Sequence, residues 1–255
     1  MINLIKKGIA FITLLAFFSV TNIAYAANTH SIDLELSSSQ YLSITDGDQT
    51  GLDITGDLTI ETWIKLESDA SGYIVNKWGK DEGYAFTYVN SGTGLRLRIN
   101  DGTGTTNAIV AWTPSTATWY HIAVAYDASA GTADFYVNGS QQGVQQGSLK
   151  TSINDNAKSF VIGINYDDGD NPNNQFDGLI DEVRVWSDVR TPTEISDNYQ
   201  KELAGNEAGL VGYWKLNNSL LDETSNDNDL TNNNSATFTS DVPFVGAVRR
   251  IIMVE

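Results

Sequence analysis

The stretch Leu58-Thr-Ile-Glu-Thr-Trp-Ile-Lys-Leu66 alternates apolar and polar side chains with a period of two. Its apolar phase contains Leu58, two isoleucines and Leu66, and its polar phase contains Glu61 and Lys65. Trp63 is the exception, because it falls in the polar phase. Alternation of this kind is typical of a strand with one buried face. The stretch therefore predicts a strand in an antiparallel sheet.

Similar short runs follow along the chain and are separated by clusters of Gly, Asn and Asp. They predict strands at residues 84–89, 95–99, 108–112, 119–126, 133–137 and 159–164. Between two of these runs, Asn138-Gly139 predicts a tight hairpin turn, because both residues accept a positive φ. Many short strands with regular turn signals are typical of an all-β sandwich or barrel.

One segment follows a helical pattern instead. It begins with Thr191-Pro192-Thr193-Glu194, in which Thr191 can cap, Pro192 fits the first helical position and Glu194 can complete a capping box. Apolar side chains then recur at helical spacing, and Gly205 follows. We expect one short helix near residues 192–203.

The composition excludes several classes of protein. The 255 residues include 15 Lys or Arg, 32 Asp or Glu and no Cys, which gives a net charge of −17. Nucleic acid is not an expected partner, because neutralising phosphates needs clustered basic residues. Zinc–thiolate sites, disulfides and cysteine nucleophiles are excluded. No linker-like stretch interrupts the pattern, so we expect a single domain over residues 28–244 and a tail over 245–255.

The N-terminal residues indicate export. Lys6 and Lys7 precede an apolar run over residues 8–20, and Ala24-Tyr25-Ala26 matches the small-x-small pattern of a cleavage site. Residues 1–26 are therefore predicted to be a signal peptide, although a buried or membrane-anchoring helix is the alternative. No later stretch approaches about 18 apolar residues, so no transmembrane segment is expected. The predicted location is secreted: the extracellular space, the periplasm or the cell surface.

Several stretches together resemble a known family. They are Phe176-Asp-Gly-Leu-Ile-Asp-Glu-Val-Arg-Val-Trp186, the capped helix, Gly209-Leu-Val-Gly-Tyr-Trp-Lys-Leu216, and residues 58–65, 119–124 and 135–139. In this order they resemble a laminin G-like jelly roll of the concanavalin A-like lectin and glucanase type, related to pentraxins. The resemblance covers residues 31–244. It implies a two-sheet antiparallel jelly-roll sandwich with adjacent N- and C-terminal strands, and a binding role for glycans, glycoconjugates or proteins, often with calcium.

The densest polar stretch runs from Asn165 to Gln175 and offers only oxygen ligands besides its backbone, as calcium prefers. In related pentraxins, the loop at this position supplies most calcium ligands. The candidate Ca²⁺ ligands are Asn165, Asp167, Asp168, Asp170, Asn171, Asn174 and Asp181. The sequence departs from the pentraxin pattern where Ser71-Gly72 replaces a second, acidic ligand segment. A solvated loop without metal therefore stays an alternative.

Asp181 raises a separate question, because it shares its strand phase with Leu179, Val183 and Val185. An unpaired carboxylate facing that way would cost several kcal/mol. We expect hydrogen-bond donors, a metal, or a local irregularity at this position.

A second acidic stretch, residues 46–57, has the oxygen spacing of a calcium loop but lacks the flanking helices of an EF-hand. An ordinary turn explains it equally well.

Four aromatic residues at strand ends or loops are candidates for stacking on sugar rings: Trp78, Tyr84, Trp112 and Tyr166. Trp78 is the best candidate for an exposed ring. Packing within the sandwich is the alternative for each of them. His121, inside a predicted strand, is interpreted as a structural residue.

The sequence does not favour catalysis. Retaining glucanases need two carboxylates about 5.5 Å apart. Here Glu61 is the only acid in its strand, and Asp181 and Glu182 are neighbours that should point to opposite faces. We therefore expect a secreted, non-catalytic binding module for an extracellular glycan or glycoprotein, with calcium neutralising the loop carboxylates. The alternatives are a protein adhesion or assembly domain and a divergent glycan-degrading enzyme.

Overall fold

The computed structural model describes residues 28–79, 82–167 and 171–244. In chain order, the strands are β1 (Ser31–Leu34), β2 (Tyr41–Ile44), β3 (Leu58–Leu66), β4 (Gly72–Gly79), β5 (Glu82–Val89), β6 (Gly94–Asn100), β7 (Thr105–Val110), β8 (Trp119–Asp127), β9 (Thr132–Val137), β10 (Ser140–Gln146), β11 (Phe160–Ile162), β12 (Asn165–Asp167), β13 (Asn171–Asn173), β14 (Gly178–Trp186), β15 (Leu210–Trp214), β16 (Thr231–Asn233) and β17 (Thr237–Thr239). The helix α1 spans Pro192–Asn198, and 3₁₀ turns span Leu36–Ser38 and Asp46–Asp48.

The strands form two large antiparallel sheets. The eight-stranded sheet has the order β10-β9-β8-β3-β14-β1-β17, with β15 paired to β14 beside this path. The seven-stranded sheet has the order β16-β2-β11-β4-β5-β6-β7, and β12 and β13 form a separate hairpin. The prediction of an all-β, two-sheet jelly-roll sandwich is confirmed. The first and last strands are adjacent, because β1 pairs with β17.

The core lies between the sheets and is built from the alternating apolar phases. Phe160 of the seven-stranded sheet stacks on Trp214 of the eight-stranded sheet with ring centroids 5.1 Å apart. Phe86 and Phe135 meet across the same interface at 6.3 Å. No helix among the described residues has the length and apolar character that a membrane span requires.

Most predicted strands occur at or near the predicted positions, with two corrections. The strand predicted at 108–112 is β7, which begins at Thr105 because it pairs with β6 directly after a tight turn, and ends at Val110. The strand predicted at 159–164 is shortened to Phe160–Ile162. Gly163 ends it with a φ of 95° and donates its N–H to the carbonyl of Ile74.

The turn at Asn138-Gly139 and the start of the helix are confirmed. Asn138 and Gly139 have φ values of 50° and 74° and connect β9 to β10. Thr191 accepts a hydrogen bond from the backbone N–H of Glu194, whose side chain accepts one from the backbone of Thr191. Both halves of the predicted capping box are therefore present.

The predicted end of the helix is wrong, because α1 stops at Asn198 rather than near residue 203. Carbonyl groups at this end turn towards the eight-stranded sheet. Arg184 donates to the carbonyls of Asn198 and Lys201, and Trp63 donates its indole N–H to the carbonyl of Tyr199 at 2.8 Å. These buried donors compete with continued helical hydrogen bonding.

Candidate functional site

A polar groove opens on the outer face of the seven-stranded sheet. Its position follows from the pleat: Tyr73 of β4 is opposite Thr87 of β5, which is opposite Arg96 of β6, so the three side chains form one row on one face. The groove has a volume of about 240 Å³. It is lined by Ser71, Gly72, Tyr73, Thr87, Tyr88, Val89, Arg96 and Asn174.

Hydrogen bonds fix the polar groups of the groove. Arg96 donates from Nε to Thr87 Oγ1 at 3.1 Å. Arg98, two residues further along β6, donates to the hydroxyl of Tyr73. The backbone N–H of Tyr73 donates to the carbonyl of Asn174 at 2.9 Å, which joins the sheet to the loop beside it. The groove is thus held in shape by its own residues.

Gly72 allows this close approach of loop and sheet. A Cβ at this position would lie 2.6 Å from the Cα of Phe176. The pair Ser71-Gly72, which the sequence shows in place of an acidic segment, therefore lies in the groove together with Asn174, one of the predicted calcium ligands.

The structure corrects three of the four proposed sugar-stacking residues, because their rings are buried. Trp78 is only 2% exposed, and the guanidinium of Arg98 lies 4.1 Å from its ring centroid. Tyr84 points into the core and donates its hydroxyl to the carbonyl of Leu52 at 3.0 Å. Neither ring offers a free face to a sugar. Trp112 is also buried, and the side chain of Tyr166 lies outside the described residues.

The described members of the predicted calcium set have different surroundings. Asn165 is 1% exposed, and neither its amide oxygen nor its amide nitrogen has a hydrogen-bond partner among the residues that the structure describes. An amide oxygen of this kind fits a calcium ligand. Asn174 is exposed in the groove. Asp168 and Asp170, and the side chains of Asp167 and Asn171, lie outside the described residues.

Asp181 has hydrogen-bond donors and a local irregularity, two of the three solutions expected from the sequence. Asn28 donates to Asp181 Oδ2 at 2.7 Å, and the backbone N–H of Glu182 donates to Oδ1 at 3.0 Å. The pairing of β14 with β3 shifts between Asp181 and Arg184, where Glu182 has a φ of 52°. Burial, with the nearby charge of Glu182, raises the pKa of Asp181 well above its usual value.

In the acidic stretch 46–57, a lysine supplies the positive charge. Lys77 is buried, and its Nζ lies 2.6 Å from Asp46 Oδ1 and 2.7 Å from Asp53 Oδ1. It also donates to the carbonyl of Asn156. Asp57 is engaged elsewhere, since it accepts the backbone N–H of Ala128. The interpretation as a turn therefore agrees with the geometry.

A group of carboxylates at one end of the eight-stranded sheet was not found from the sequence. Asp33, Glu35 and Glu67 place one oxygen each within 4.8 Å of one another. Burial and the neighbouring negative charges raise the pKa of Asp33 and of Glu67. Glu67 is far in sequence from Asp33 and Glu35, so only the pairing of β1 and β3 with β14 reveals the group.

A second set of acids is buried under α1. Glu61 lies 3.1 Å from His121 and accepts the indole N–H of Trp186 at 3.0 Å. Arg184 donates to Glu182 at 2.9 Å and lies 3.6 Å from Glu61. Glu61 is the only acid of β3, as the sequence shows, but the bulge in β14 brings Glu182 to the same arginine.

These acids have opposite protonation tendencies. Burial opposes ionisation of Glu61, but Arg184 and His121 outweigh it and lower its pKa to about 2. Burial raises the pKa of Glu182 to about 7 despite Arg184 and the hydroxyl of Tyr213, which donates to it at 2.6 Å. Glu61 and Glu182 are at most 2% exposed, so the geometry gives them a role in packing rather than in contacting a substrate.

Comparisons with known proteins agree with the fold. Residues 36–196 match the family model described as the concanavalin A-like lectin/glucanases superfamily. Serum amyloid P-component of Mesocricetus auratus is 34% identical over 83 residues. That match covers 31% of this chain and 35% of the relative, about a third of its length.

Two solved structures are similar over most of the chain. A native heptameric SAP-like pentraxin from Limulus polyphemus has a TM-score of 0.64 at 18% identity, and the match covers 85% of this chain and 97% of the pentraxin. A protein assigned as carbohydrate-binding from Bacteroides ovatus has a TM-score of 0.66 at 22% identity. That match covers 92% of this chain and 68% of the other. At these identities the likeness shows the fold.

Proposed function

Because the chain belongs to the concanavalin A-like lectin/glucanases superfamily, we propose that it is a non-catalytic carbohydrate-binding module whose sugar lies in the groove of the seven-stranded sheet. The observation that carries this proposal is the groove itself, about 240 Å³ of polar-lined space beside a loop rich in Asn and Asp. The likeness to a protein assigned as carbohydrate-binding supports it.

The chemistry of the lining suits a sugar. Ser71 and Asn174 offer an accessible hydroxyl and amide group, and Arg96 adds a fixed fork of donors. Tyr73 and Thr87 are at most 3% exposed, and their hydroxyls hold the arginines in place. The groove is slightly smaller than typical drug-sized pockets of roughly 300–1,000 Å³, so it suits about one sugar ring. Oligosaccharides would extend from it along the sheet face.

The proposal also includes a calcium ion bound in the loop beside the groove. The amide oxygen of Asn165, which no described residue hydrogen-bonds, would be one ligand. The loop acids 167–170 would supply the charge that this neutral amide lacks. A calcium ion held there would lie in the loop that joins the groove through Asn174.

Export is part of the same proposal. Residues 1–26, which lie outside the described residues, carry the lysine pair, the apolar run and the Ala24-Tyr25-Ala26 pattern of a signal peptide. A protein exported in this way would meet glycans outside the cytoplasm.

Adhesion to a protein has weaker support. Exposed large apolar side chains among the described residues lie on separate elements: Leu36, Ile109, Val144, Val189 and Leu221. A protein interface more often concentrates aromatic and apolar groups at its centre.

The test is to fill the groove. Ser71 is partly exposed on the groove wall, and Ser71→Trp would occupy the space of a sugar ring. Binding would be measured on a glycan array and by isothermal titration with the glycans that bind. The wild-type protein should bind at least one glycan, and Ser71→Trp should bind none.

Ser129→Trp is the control, because Ser129 is an exposed serine in a turn of the eight-stranded sheet, away from the groove, and its hydroxyl donates to Asp127. This variant should bind as the wild type does. If the wild type binds no glycan, the proposed function is wrong. If Ser71→Trp binds normally, the groove is not the site.

A further inference from the structure

Two arginines lie side by side on the outer face of the seven-stranded sheet. Arg96 and Arg98 occupy alternate positions of β6, so both side chains leave the same face. Arg96 lines the groove directly. Arg98 reaches the same groove wall through its hydrogen bond to the hydroxyl of Tyr73.

Neither guanidinium forms a salt bridge with any residue in the described part of the chain. This is unusual in a protein with 32 acidic and 15 basic residues. Other described basic side chains are mostly paired: Lys65, Lys77, Lys150, Arg184, Arg190 and Lys215 each have an acidic partner within 4.0 Å. The two arginines thus form a positive patch whose charge the described residues leave uncompensated.

Neutral groups hold the two arginines in place. Arg96 donates a hydrogen bond to Thr87, while Arg98 donates one to Tyr73 and lies over the ring of Trp78. Burial lowers the pKa of Arg96, and the like charge of Arg98 lowers it further. Two like charges held close together by neutral partners gain stability when an anion binds between them.

We propose that the ligand of this groove is an acidic glycan, whose carboxylate or sulfate group is bound by Arg96 and Arg98. This proposal rests on the proposed function and adds the class of sugar. A guanidinium matches such groups because its planar N–H donors can bind two oxygens at once. The sugar ring then contacts Ser71 and Asn174, and the acidic group lies towards β6.

The experiment compares charged and neutral forms of the same sugars by isothermal titration. One pair of probes is trigalacturonate and its fully methyl-esterified form, and the other is lactose 3′-sulfate and lactose. Wild-type protein should bind the charged member of at least one pair, and the pair that responds tells carboxylate from sulfate. Binding should weaken as NaCl is raised.

Variants of Arg96 and Arg98 test whether these two side chains bind the acidic group. Arg96→Gln and Arg98→Gln should each lower the affinity for the charged probe by about 10- to 100-fold, since each loses charged hydrogen bonds. Arg96→Lys keeps the charge and the stem of the side chain, so it should fold normally and lose less affinity. Lys201→Gln makes the same change in charge at an exposed position over the opposite sheet and should bind as the wild type does.

The outcomes separate the two proposals. If neutral and charged probes bind equally and the arginine variants bind normally, the acidic-glycan inference is overturned while sugar binding stands. The inference is also overturned if only neutral glycans on the array bind. If no glycan binds at all, both proposals fail.

Discussion

Arg184 connects the acids buried under α1, Glu61 and Glu182, into one buried network. This residue is 1% exposed, pairs with Glu182 at 2.9 Å and lies 3.6 Å from Glu61. It also donates to two carbonyls at the end of α1. Arg184→Met keeps much of the side-chain volume and removes every one of these donors.

The expected loss in the free energy of unfolding follows from the buried carboxylates that would be left without Arg184. Removing one partner of a buried ion pair costs about 3–5 kcal/mol, because the other charge stays buried without compensation. Glu182 can escape by taking up a proton, because burial raises its pKa to about 7 and the loss of Arg184 raises it further. Glu61 loses the charge that chiefly lowers its pKa, but it keeps His121 and the indole N–H of Trp186 as partners. We therefore expect a loss near the lower end, about 3 kcal/mol, out of a total stability of roughly 5–15 kcal/mol.

Urea unfolding at pH 7, followed by tryptophan fluorescence, would measure this loss. Arg190→Met is the matched control, because Arg190 forms partly exposed salt bridges with Asp188 and Glu194 and lies over the ring of Trp186. Its loss should be roughly 1–2 kcal/mol. If the two variants were equally stable, Arg184 would not join α1 to the eight-stranded sheet.

Two further predictions concern titration and calcium. Because the folded state raises the pKa of Glu182 from 4.5 to about 7, its contribution to stability is complete below about pH 4.5 and is lost as the pH rises through about 7. Glu182→Gln does not titrate, so its stability relative to the wild type should improve by up to about 3 kcal/mol between pH 4.5 and 8, and a pH-independent difference in chemical unfolding would contradict this. Calcium at 1 mM should raise the melting temperature of the wild type but not of Asn165→Leu, with exposed Asn206→Leu as the control. An equal rise in all three proteins would place calcium elsewhere.

Local patterns in the sequence predicted local structure well. The alternation in Leu58–Leu66, the turn at Asn138-Gly139 and the capping box at Thr191 all involve residues within a few positions of one another. Their hydrogen bonds and side-chain phases are decided before distant segments meet, so the sequence contains the information directly.

Features that depend on distant segments could not be predicted in the same way. The end of α1 is set by Arg184 and Trp63, and the charge of Asp46 is met by Lys77, 31 residues away. Trp78 has a strand-end position that suggests exposure, but its ring lies under Arg98. In each case the decisive partner comes from another strand.

In the groove, too, some features follow from local sequence and others depend on distant strands. Alternation in β6 places Arg96 and Arg98 on one outward face, but only the register of β4, β5 and β6 puts Tyr73 and Thr87 beside them. The bulge at Glu182 has no local signal in the sequence, because a positive φ at a glutamate is set by its buried surroundings.

The most direct test of the central claim is a map of the bound sugar on the protein. Trigalacturonate or lactose 3′-sulfate, whichever binds, would be titrated into ¹⁵N-labelled protein and followed through its amide resonances. We predict that the largest shifts fall in residues 71–73, 87–89 and 96–98, with little change in the eight-stranded sheet. Shifts confined to the eight-stranded sheet or to its acidic end would contradict it.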